Sequence, residues 1–221
     1  MALLTYQEIR ENEEIRTYIQ KADAVLSAMG YTEHSFAHMA ITAERAGEIL
    51  LRMGYPERTA ELARIAGFMH DIGNVINRID HAQSGAVMAF RILDRLGMPA
   101  DELADVISAI GNHDEGTAVP ATPIAAALIL ADKADVRRSR VRNTDQMSFD
   151  IHDRVNYSVE SSALTISEDK NRVELRIAID TEICAVMSYF EIFLERMLLC
   201  RRAAEFLGRS FALWINDQRL L

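Results

Sequence analysis

The stretch Phe68-Met69-His70-Asp71-Ile72-Gly73 places an imidazole and a carboxylate on adjacent residues at the end of an apolar segment. Apolar residues recur at helical spacing between Pro56 and this stretch, and Pro56 suits the first turn of a helix. Gly73 interrupts the pattern. The sequence therefore predicts a buried helix that ends at His70 and Asp71.

Helical patterns continue on both sides of this stretch up to about residue 140. Glycines follow several of them, as expected at helix ends, and Thr5 with Glu8 matches a capping box. The other predicted helices cover about residues 5–29, 33–53, 83–96, 100–110 and 122–129. This part of the chain is thus predicted to be a bundle of consecutive helices.

The pattern changes after about residue 150, where β-branched residues become frequent and partly alternate with polar ones. The predicted elements are a hairpin over residues 158–167 and 172–179, a long helix over 181–207 and a third strand over 211–216. We therefore predict a mainly α protein, with a helical domain over residues 1–150 and a small α+β subdomain over residues 151–221. The long helix suits core packing or the interface of a homodimer.

Composition predicts a folded chain located in the cytoplasm. Of its 221 residues, 49% are hydrophobic and 26% are charged, and its two cysteines fit free thiols in a reducing compartment. The first residues lack a secretory pattern, and the longest apolar run, residues 124–131, is too short to span a bilayer. A formal net charge of -9 argues against general nucleic-acid binding, because phosphate contacts need clustered cations.

Four histidines and two aspartates fall at or near the ends of the predicted helices. A lone histidine is more often a core or surface side chain, but six such residues on successive helix ends favour a metal site. Imidazole and carboxylate donors together suit Mn, Fe, Co, Ni or Zn better than Ca or Mg. The predicted ligands are His38, His70, Asp71, His81, His113 and Asp132.

The order of these residues resembles the HD-domain metal-dependent phosphohydrolases, in which a histidine, a His-Asp pair and a distal aspartate follow one another. His38 is followed by small or apolar residues in the family's register, and Asp132 lies in Ile-Leu-Ala-Asp-Lys-Ala-Asp. The resemblance covers about residues 30–145. It implies an HD-domain helical bundle in which His38, His70, Asp71 and Asp132 bind metal.

His81, in His-Ala-Gln-Ser-Gly-Ala, and His113, in Ile-Gly-Asn-His-Asp-Glu, resemble the extra ligands of the two-metal branch of this family. That branch includes cyclic-dinucleotide phosphodiesterases and symmetrical dinucleoside tetraphosphate hydrolases. The resemblance implies two divalent ions bridged by Asp71, with Fe or Mn favoured and Zn, Co or Ni as alternatives. It also implies in-line attack by a metal-activated hydroxide on a phosphoester or phosphoanhydride of a nucleotide or similar small phosphorylated substrate.

Basic residues after Asp132 are expected to bind the substrate phosphate. Many relatives have a lysine where this chain has Asn74, which can donate a hydrogen bond but carries no charge. We therefore assign substrate binding to Asn74, Arg137 and Arg138, and catalysis to Lys133 together with Asp71. Any one of these arginines fits equally well a solvated helix end placed favourably against the helix dipole.

Two further histidines, His34 and His152, fall outside the predicted ligand set. His34 lies four residues before His38, so it shares that helix face if the helix has already begun. It is predicted either to contact substrate or to be a surface histidine at the helix start. The run Ile151-His152-Asp153-Arg154 lacks a surrounding helical pattern and is predicted to be a connection, outside the site.

The same ligands allow two other functions. A pair of iron ions could activate oxygen, as in a minority of HD-fold proteins, and this diiron HD-type oxygenase would be distinguished by its redox behaviour. The chain could also be a non-catalytic nucleotide-binding regulatory module, although a complete ligand set argues against a degenerate site.

Overall fold

The structure, a computed structural model, describes residues 3–143 and 149–221. The described residues form nine α-helices and a four-stranded sheet, so the predicted mainly α class is confirmed. The helices are α1 (Tyr6–Glu11), α2 (Glu13–Ala28), α3 (Phe36–Arg52), α4 (Glu57–Met69), α5 (His81–Arg95), α6 (Ala100–Gly111), α7 (Pro123–Lys133), α8 (Ile151–Ser158) and α9 (Val186–Phe206). The strands are β1 (Val159–Ile166), β2 (Arg172–Ile179), β3 (Ser210–Ile215) and β4 (Gln218–Arg219).

The first predicted helix is in fact two helices, α1 and α2. Asn12 separates them with an extended backbone, and its side-chain oxygen accepts a hydrogen bond from the backbone N–H of Ile15 at 3.1 Å. An asparagine at this position caps the second helix, whereas the hydrophobic periodicity runs through both helices. The capping box of Thr5 and Glu8 is present as predicted.

The connection predicted around residues 151–154 is wrong, because these residues begin α8. The Asp150 side chain caps this helix by accepting a hydrogen bond from the Asp153 backbone N–H at 2.8 Å. A helix of two turns contains too few residues to show a clear periodicity. Its buried residues include Val155 and Asn156.

The sheet has the order β1-β2-β3-β4. β1 and β2 pair antiparallel as the predicted hairpin, whereas β3 pairs parallel to β2. Because parallel neighbours require a crossover connection, α9 lies between β2 and β3 in the chain and packs against the sheet. The short strand β4, which the sequence pattern did not predict, pairs antiparallel to β3.

Helix α7 is at the centre of the core. All of its residues from Ile124 to Lys133 are buried, and it packs against α3, α4, α6 and α9. A single cluster of buried apolar side chains extends from α1 to β3. Within residues 3–143 and 149–221, no helix has the length and apolar character needed to cross a bilayer.

Gly73 allows a close approach between the turn after α4 and the start of α5. A Cβ at this position would overlap the carbonyl oxygen of His81 and lie 2.5 Å from the backbone nitrogen of Gly85. Neither contacting atom belongs to a flexible side chain, so the backbones would have to separate. The glycine therefore lets the His70-Asp71 pair lie against the first residue of α5.

We predict that Gly73→Ala lowers the free energy of unfolding by about 3 kcal/mol, because overpacking against backbone cannot relax cheaply. Chemical denaturation measures this change. Gly111→Ala is the matched control, since its Cβ would meet only Ala86 at an ordinary 3.6 Å. Equal stability of the two variants would contradict the close approach.

Candidate metal centre

Five helices, α3 to α7, converge on one buried cluster of side chains. Each helix contributes one or two of these side chains from a position at or near one of its ends. The predicted ligands are His38 in the first turn of α3, His70 and Asp71 after α4, His81 at the start of α5, His113 after α6 and Asp132 in the last turn of α7. None of these side chains belongs to a residue more than 9% exposed. The structure thus brings together all six residues that were predicted to bind metal.

Asp71 lies between two sets of histidines. Its Oδ2 is 3.2 Å from Nε2 of His70 and 3.9 Å from Nε2 of His38. Its Oδ1 is 3.2 Å from Nε2 of His81 and 3.7 Å from Nε2 of His113. One carboxylate therefore presents each of its oxygens to a separate group of imidazole nitrogens.

Asp132 completes the set on the Oδ2 side of Asp71. Its Oδ1 is 3.2 Å from Nε2 of His38 and 3.7 Å from Nε2 of His70. The potential ligand atoms form three overlapping groups, and within each group the atoms lie no more than 4.8 Å apart. These groups are His38, His70 and Asp71; His70, His113 and Asp132; and Asp71, His81 and His113.

Backbone carbonyls fix the orientation of three of the four rings. A carbonyl oxygen can only accept a hydrogen bond, so Nδ1 carries a hydrogen and, in the neutral ring, Nε2 keeps its lone pair. The Nδ1 atoms donate from His70 to Gly67 at 2.8 Å, from His81 to Arg78 at 3.0 Å and from His113 to Ile110 at 2.6 Å. This arrangement leaves the Nε2 atoms available as metal ligands.

The buried nitrogen and oxygen atoms of this cluster suit a divalent metal ion. Nε2 of His38 and Nε2 of His70 are buried and form no hydrogen bond among the described residues, although a carboxylate oxygen lies 3.2 Å from each. Burying such a group without a partner is costly, and a metal ion is one partner that an imidazole lone pair can bind. Mixed nitrogen and oxygen donors of this kind suit a divalent transition metal.

The cluster is electrostatically adapted to hold a cation. Burial alone would lower the pKa of His70, but the Asp71 and Asp132 carboxylates raise that pKa to about 10. Burial raises the pKa of a carboxyl group, yet His70 holds the pKa of Asp71 well below its usual range, and Lys133 does so for Asp132. A bound metal would therefore replace a proton on His70, so metal affinity should fall as the pH is lowered.

A comparison with known families agrees with this geometry. The family model described as HD domain matches residues 34–138, a segment that contains every predicted ligand. These residues form an HD domain. The family resemblance inferred from the sequence is thus confirmed, and it supports a metal-dependent hydrolase in general.

Two similar proteins match this chain over different lengths. The uncharacterized protein MJ1020 of Methanocaldococcus jannaschii is 24% identical over 212 residues, covering 86% of this chain and 80% of that protein. A solved structure, described as a predicted HD superfamily hydrolase from an uncultured Thermotogales bacterium, is 26% identical with a TM-score of 0.45. The match to that structure covers 57% of this chain and 68% of the solved chain. The first likeness extends well beyond the HD domain.

The sequence interpretation missed the role of Asp135, which supports the ring of His38. Its Oδ2 accepts a hydrogen bond from Nδ1 of His38 at 2.8 Å, and Asp135 is fully buried. Burial would raise the pKa of Asp135, but the hydrogen bonds from His38 and Arg137 hold it well below its usual range. The signal in the sequence was the recurrence of an aspartate three residues after Asp132, which is about one helical turn.

We predict that Asp135→Asn weakens metal binding at the His38 side of the HD domain by about tenfold to a hundredfold, because the ring loses its charged acceptor. Competition with a chelator measures the affinity. Asp94→Asn, at an exposed position on α5, is the control. Affinity within threefold of the wild-type value would show that Asp135 does not tune this ligand.

Lys133 contacts Asp132 rather than facing solvent. Its Nζ is 2.6 Å from Oδ2 of Asp132 and 3.3 Å from Oε2 of Glu115, whose Oε1 accepts a hydrogen bond from Nε of Arg196 at 2.8 Å. Burial by itself would lower the pKa of Lys133, but the Asp132 and Glu115 carboxylates raise this pKa above its ordinary value. The lysine therefore remains protonated. Lys133 therefore orients Asp132, and its assignment as a catalytic residue stays a prediction.

His34 and Asn74 both lie against Asp71. Nε2 of His34 is 3.9 Å from Oδ2 of Asp71, and its side chain is only 12% exposed, which does not fit a surface histidine. The Asn74 amide donates to Oδ1 of Asp71 at 3.0 Å and to the Asp71 carbonyl at 2.9 Å. Asn74 therefore holds the carboxylate in place, and its predicted substrate contact remains a prediction.

The structure does not bring Arg137 and Arg138 into the cluster. Nε and Nη2 of Arg137 donate to the two carboxylate oxygens of Asp135 at 2.8 and 3.0 Å. Nε of Arg138 donates to the backbone carbonyl of Tyr157 at 2.5 Å. The Arg138 guanidinium also lies 4.8 Å from the centre of the Tyr157 aromatic ring. Neither arginine borders the cavity of about 820 Å³ described below, which His34 and Arg78 line. Their substrate contacts stay predictions.

A cavity of about 820 Å³ reaches the cluster through residues next to the predicted ligands, although none of the six predicted ligands lines it. His34 and Arg78 border it from the HD domain, and Nη1 of Arg78 is 3.3 Å from Nε2 of His81. Asp114 has its Oδ1 3.8 Å from the same His81 nitrogen. The sequence interpretation missed both residues, although Arg78 precedes His81 by three positions and Asp114 directly follows His113.

Proposed function

We propose that the chain hydrolyses a phosphoester or phosphoanhydride bond of a nucleotide or similar small phosphorylated molecule, using two divalent transition-metal ions. The observation that carries this proposal is the position of Asp71, whose two oxygens face two separate sets of imidazole nitrogens. A carboxylate in that position suits a ligand shared by two ions.

We assign the donors to two subsites by the Asp71 oxygen that they face, although His113 also lies within ligand distance of His70 and Asp132. The first subsite consists of Oδ2 of Asp71 with His38, His70 and Asp132, and the second consists of Oδ1 of Asp71 with His81 and His113. Two ions, with Fe or Mn favoured and Zn, Co or Ni as alternatives, would supply a hydroxide near neutral pH and neutralise phosphate charge.

The protein's own groups would position the ligands and the substrate. Asn74 holds Asp71 by two hydrogen bonds, and Lys133 holds Asp132 by an ion pair. The guanidinium of Arg78 lies beside His81 at the edge of the cavity, where it can bind a phosphate oxygen. The cavity volume is in the range of sites that bind small molecules.

The test is an activity screen with protein loaded separately with Mn, Fe, Zn, Co or Ni. Release of phosphate or nucleotide is measured with nucleotides, dinucleoside polyphosphates and simple phosphodiesters as substrates. Hydrolysis that depends on added metal and is lost in Asp71→Asn supports the proposal. Absence of turnover in protein shown by elemental analysis to hold metal contradicts it.

Two other outcomes would favour the alternative functions. Substrate-dependent oxygen uptake by iron-loaded protein would indicate a diiron oxygenase. A tight nucleotide complex that persists without turnover would indicate a regulatory module.

A further inference from the structure

The cavity at His34 and Arg78 has two walls that come from different parts of the chain. His34, Arg78 and Glu115 belong to the HD domain, whereas a second wall comes from α8 and the first half of α9, outside residues 34–138, and residues 29–32 and Arg140 complete the lining. The C-terminal part of the chain therefore contributes to the space that substrate would occupy.

Most cations at this cavity are already paired. Nε of Arg196 donates to Glu115, and Nε and Nη1 of Arg140 donate to the carbonyls of Glu33 and Asp135 at 2.9 and 2.8 Å. The contacts of Arg78 are weaker, since its closest carboxylate oxygen, on Asp114, is 3.9 Å away. Positive charge available to a ligand is thus concentrated beside His81.

The wall formed by α8 and α9 is negatively charged. We call its four carboxylate residues the acidic wall; they are Asp150, Asp153, Glu191 and Glu195. Glu191 and Glu195 are exposed, and neither forms an ion pair with another residue in the described ranges 3–143 and 149–221. Phe190 borders the same cavity, so the wall also offers an apolar surface.

This distribution of charge constrains the ligand. A phosphate beside the metal ligands and Arg78 meets positive charge, whereas a second anionic group reaching α9 would meet unpaired carboxylates. Repulsion between like charges several ångströms apart in a partly enclosed site changes affinity by about tenfold. Carboxylates also accept hydrogen bonds from ammonium, amino and hydroxyl groups.

We propose, on the basis of the proposed function, that the acidic wall selects substrates with phosphate at one end only and a neutral or cationic group at the other. Glu191 and Glu195 are the residues that determine this specificity. Compounds with phosphates at both ends of the molecule would be poor substrates.

The experiment uses two aryl phosphates that differ only in the group para to the phosphate, which is either aminomethyl or carboxylate. Comparing their kcat/KM ratio between variants cancels the intrinsic difference in leaving group. The matching benzylphosphonates, which cannot be hydrolysed at the corresponding bond, give the binding ratio by calorimetry with Mn-loaded protein. This second measurement does not depend on turnover.

We expect wild-type protein to favour the aminomethyl compounds by about tenfold at low salt, with the preference decreasing as ionic strength rises. Glu191→Gln with Glu195→Gln should reduce the preference, and Glu191→Lys with Glu195→Lys should reverse it. The control is Glu182→Lys with Glu205→Lys, which makes the same charge change at exposed positions away from the cavity.

The outcomes separate the two proposals. Binding ratios that shift in the Glu191 and Glu195 variants but not in the control support the acidic wall, even if no phosphate is hydrolysed. Hydrolysis of both aryl phosphates with ratios that are the same in all variants supports the proposed function and overturns the acidic wall. Failure of folded, metal-loaded protein to bind either phosphonate also overturns it.

Discussion

Asp71→Asn is expected to remove metal from both subsites and to lower kcat/KM by about a thousandfold or more. The substitution keeps the size of the side chain but replaces one ligand oxygen with an amide nitrogen and removes the negative charge facing His70. If Asp71 is shared between two metal ions, loss of its charge weakens the binding of both ions. A thousandfold decrease in kcat/KM corresponds to a loss of about 4 kcal/mol in transition-state stabilisation. Elemental analysis per chain and steady-state kinetics measure the two effects.

Asp94→Asn is the matched control for this experiment, because it makes the same chemical change at an exposed position on α5. The circular dichroism spectra of both variants should resemble that of the wild type, which separates loss of metal from loss of fold. Retention of two ions per chain by Asp71→Asn, with activity within tenfold of wild type, would show that Asp71 is not shared between subsites.

A second large effect is expected from separating the two subsites. His81→Ala with His113→Ala should lower the bound metal from two ions to one per chain and reduce turnover by about a hundredfold. Nε2 of each histidine faces Oδ1 of Asp71, while the donors on the Oδ2 side remain in place. Hydrolysis that needs two ions would then lose the charge neutralisation and orientation supplied by one of them.

The reciprocal variant, His38→Ala with His70→Ala, is the matched comparison, because it removes two imidazoles from the other side of the same carboxylate. If the subsites are independent apart from Asp71, each double variant should keep one ion. Retention of two ions in both variants, or full loss of metal in His81→Ala with His113→Ala alone, would contradict the division into two subsites.

Much of the fold could be predicted because most of its elements bury one face. The helical spacing before His70 and the alternation in the hairpin are local consequences of that burial. The break at Asn12 and the short helix α8 were missed for the opposite reason. The break at Asn12 depends on one capping side chain, while the hydrophobic periodicity continues across it. Helix α8 also begins at one capping side chain, and it is too short for its periodicity to be recognised.

The candidate site could be predicted less evenly. His38 and Asp132 were identifiable because a family pattern places them at recognisable helix positions. The basic residues after Asp132 were more difficult to interpret, since charge in the sequence does not show which partner a side chain will meet. Arg137 turns to Asp135, whereas Arg78, from another part of the chain, lies beside His81.

The sequence by itself determined the helical class and the HD-type order of the histidine and aspartate residues, and it predicted a divalent transition metal, because these follow from residue type and from spacing along the chain. Only the tertiary structure decided that each oxygen of Asp71 faces different histidines and that Asp135 supports His38. It alone also brought α8 and α9 to the cavity. Distances between groups that are far apart in sequence depend on how the helices pack and on which backbone carbonyls accept hydrogen bonds from the histidine rings. Neither can be predicted from a local sequence pattern.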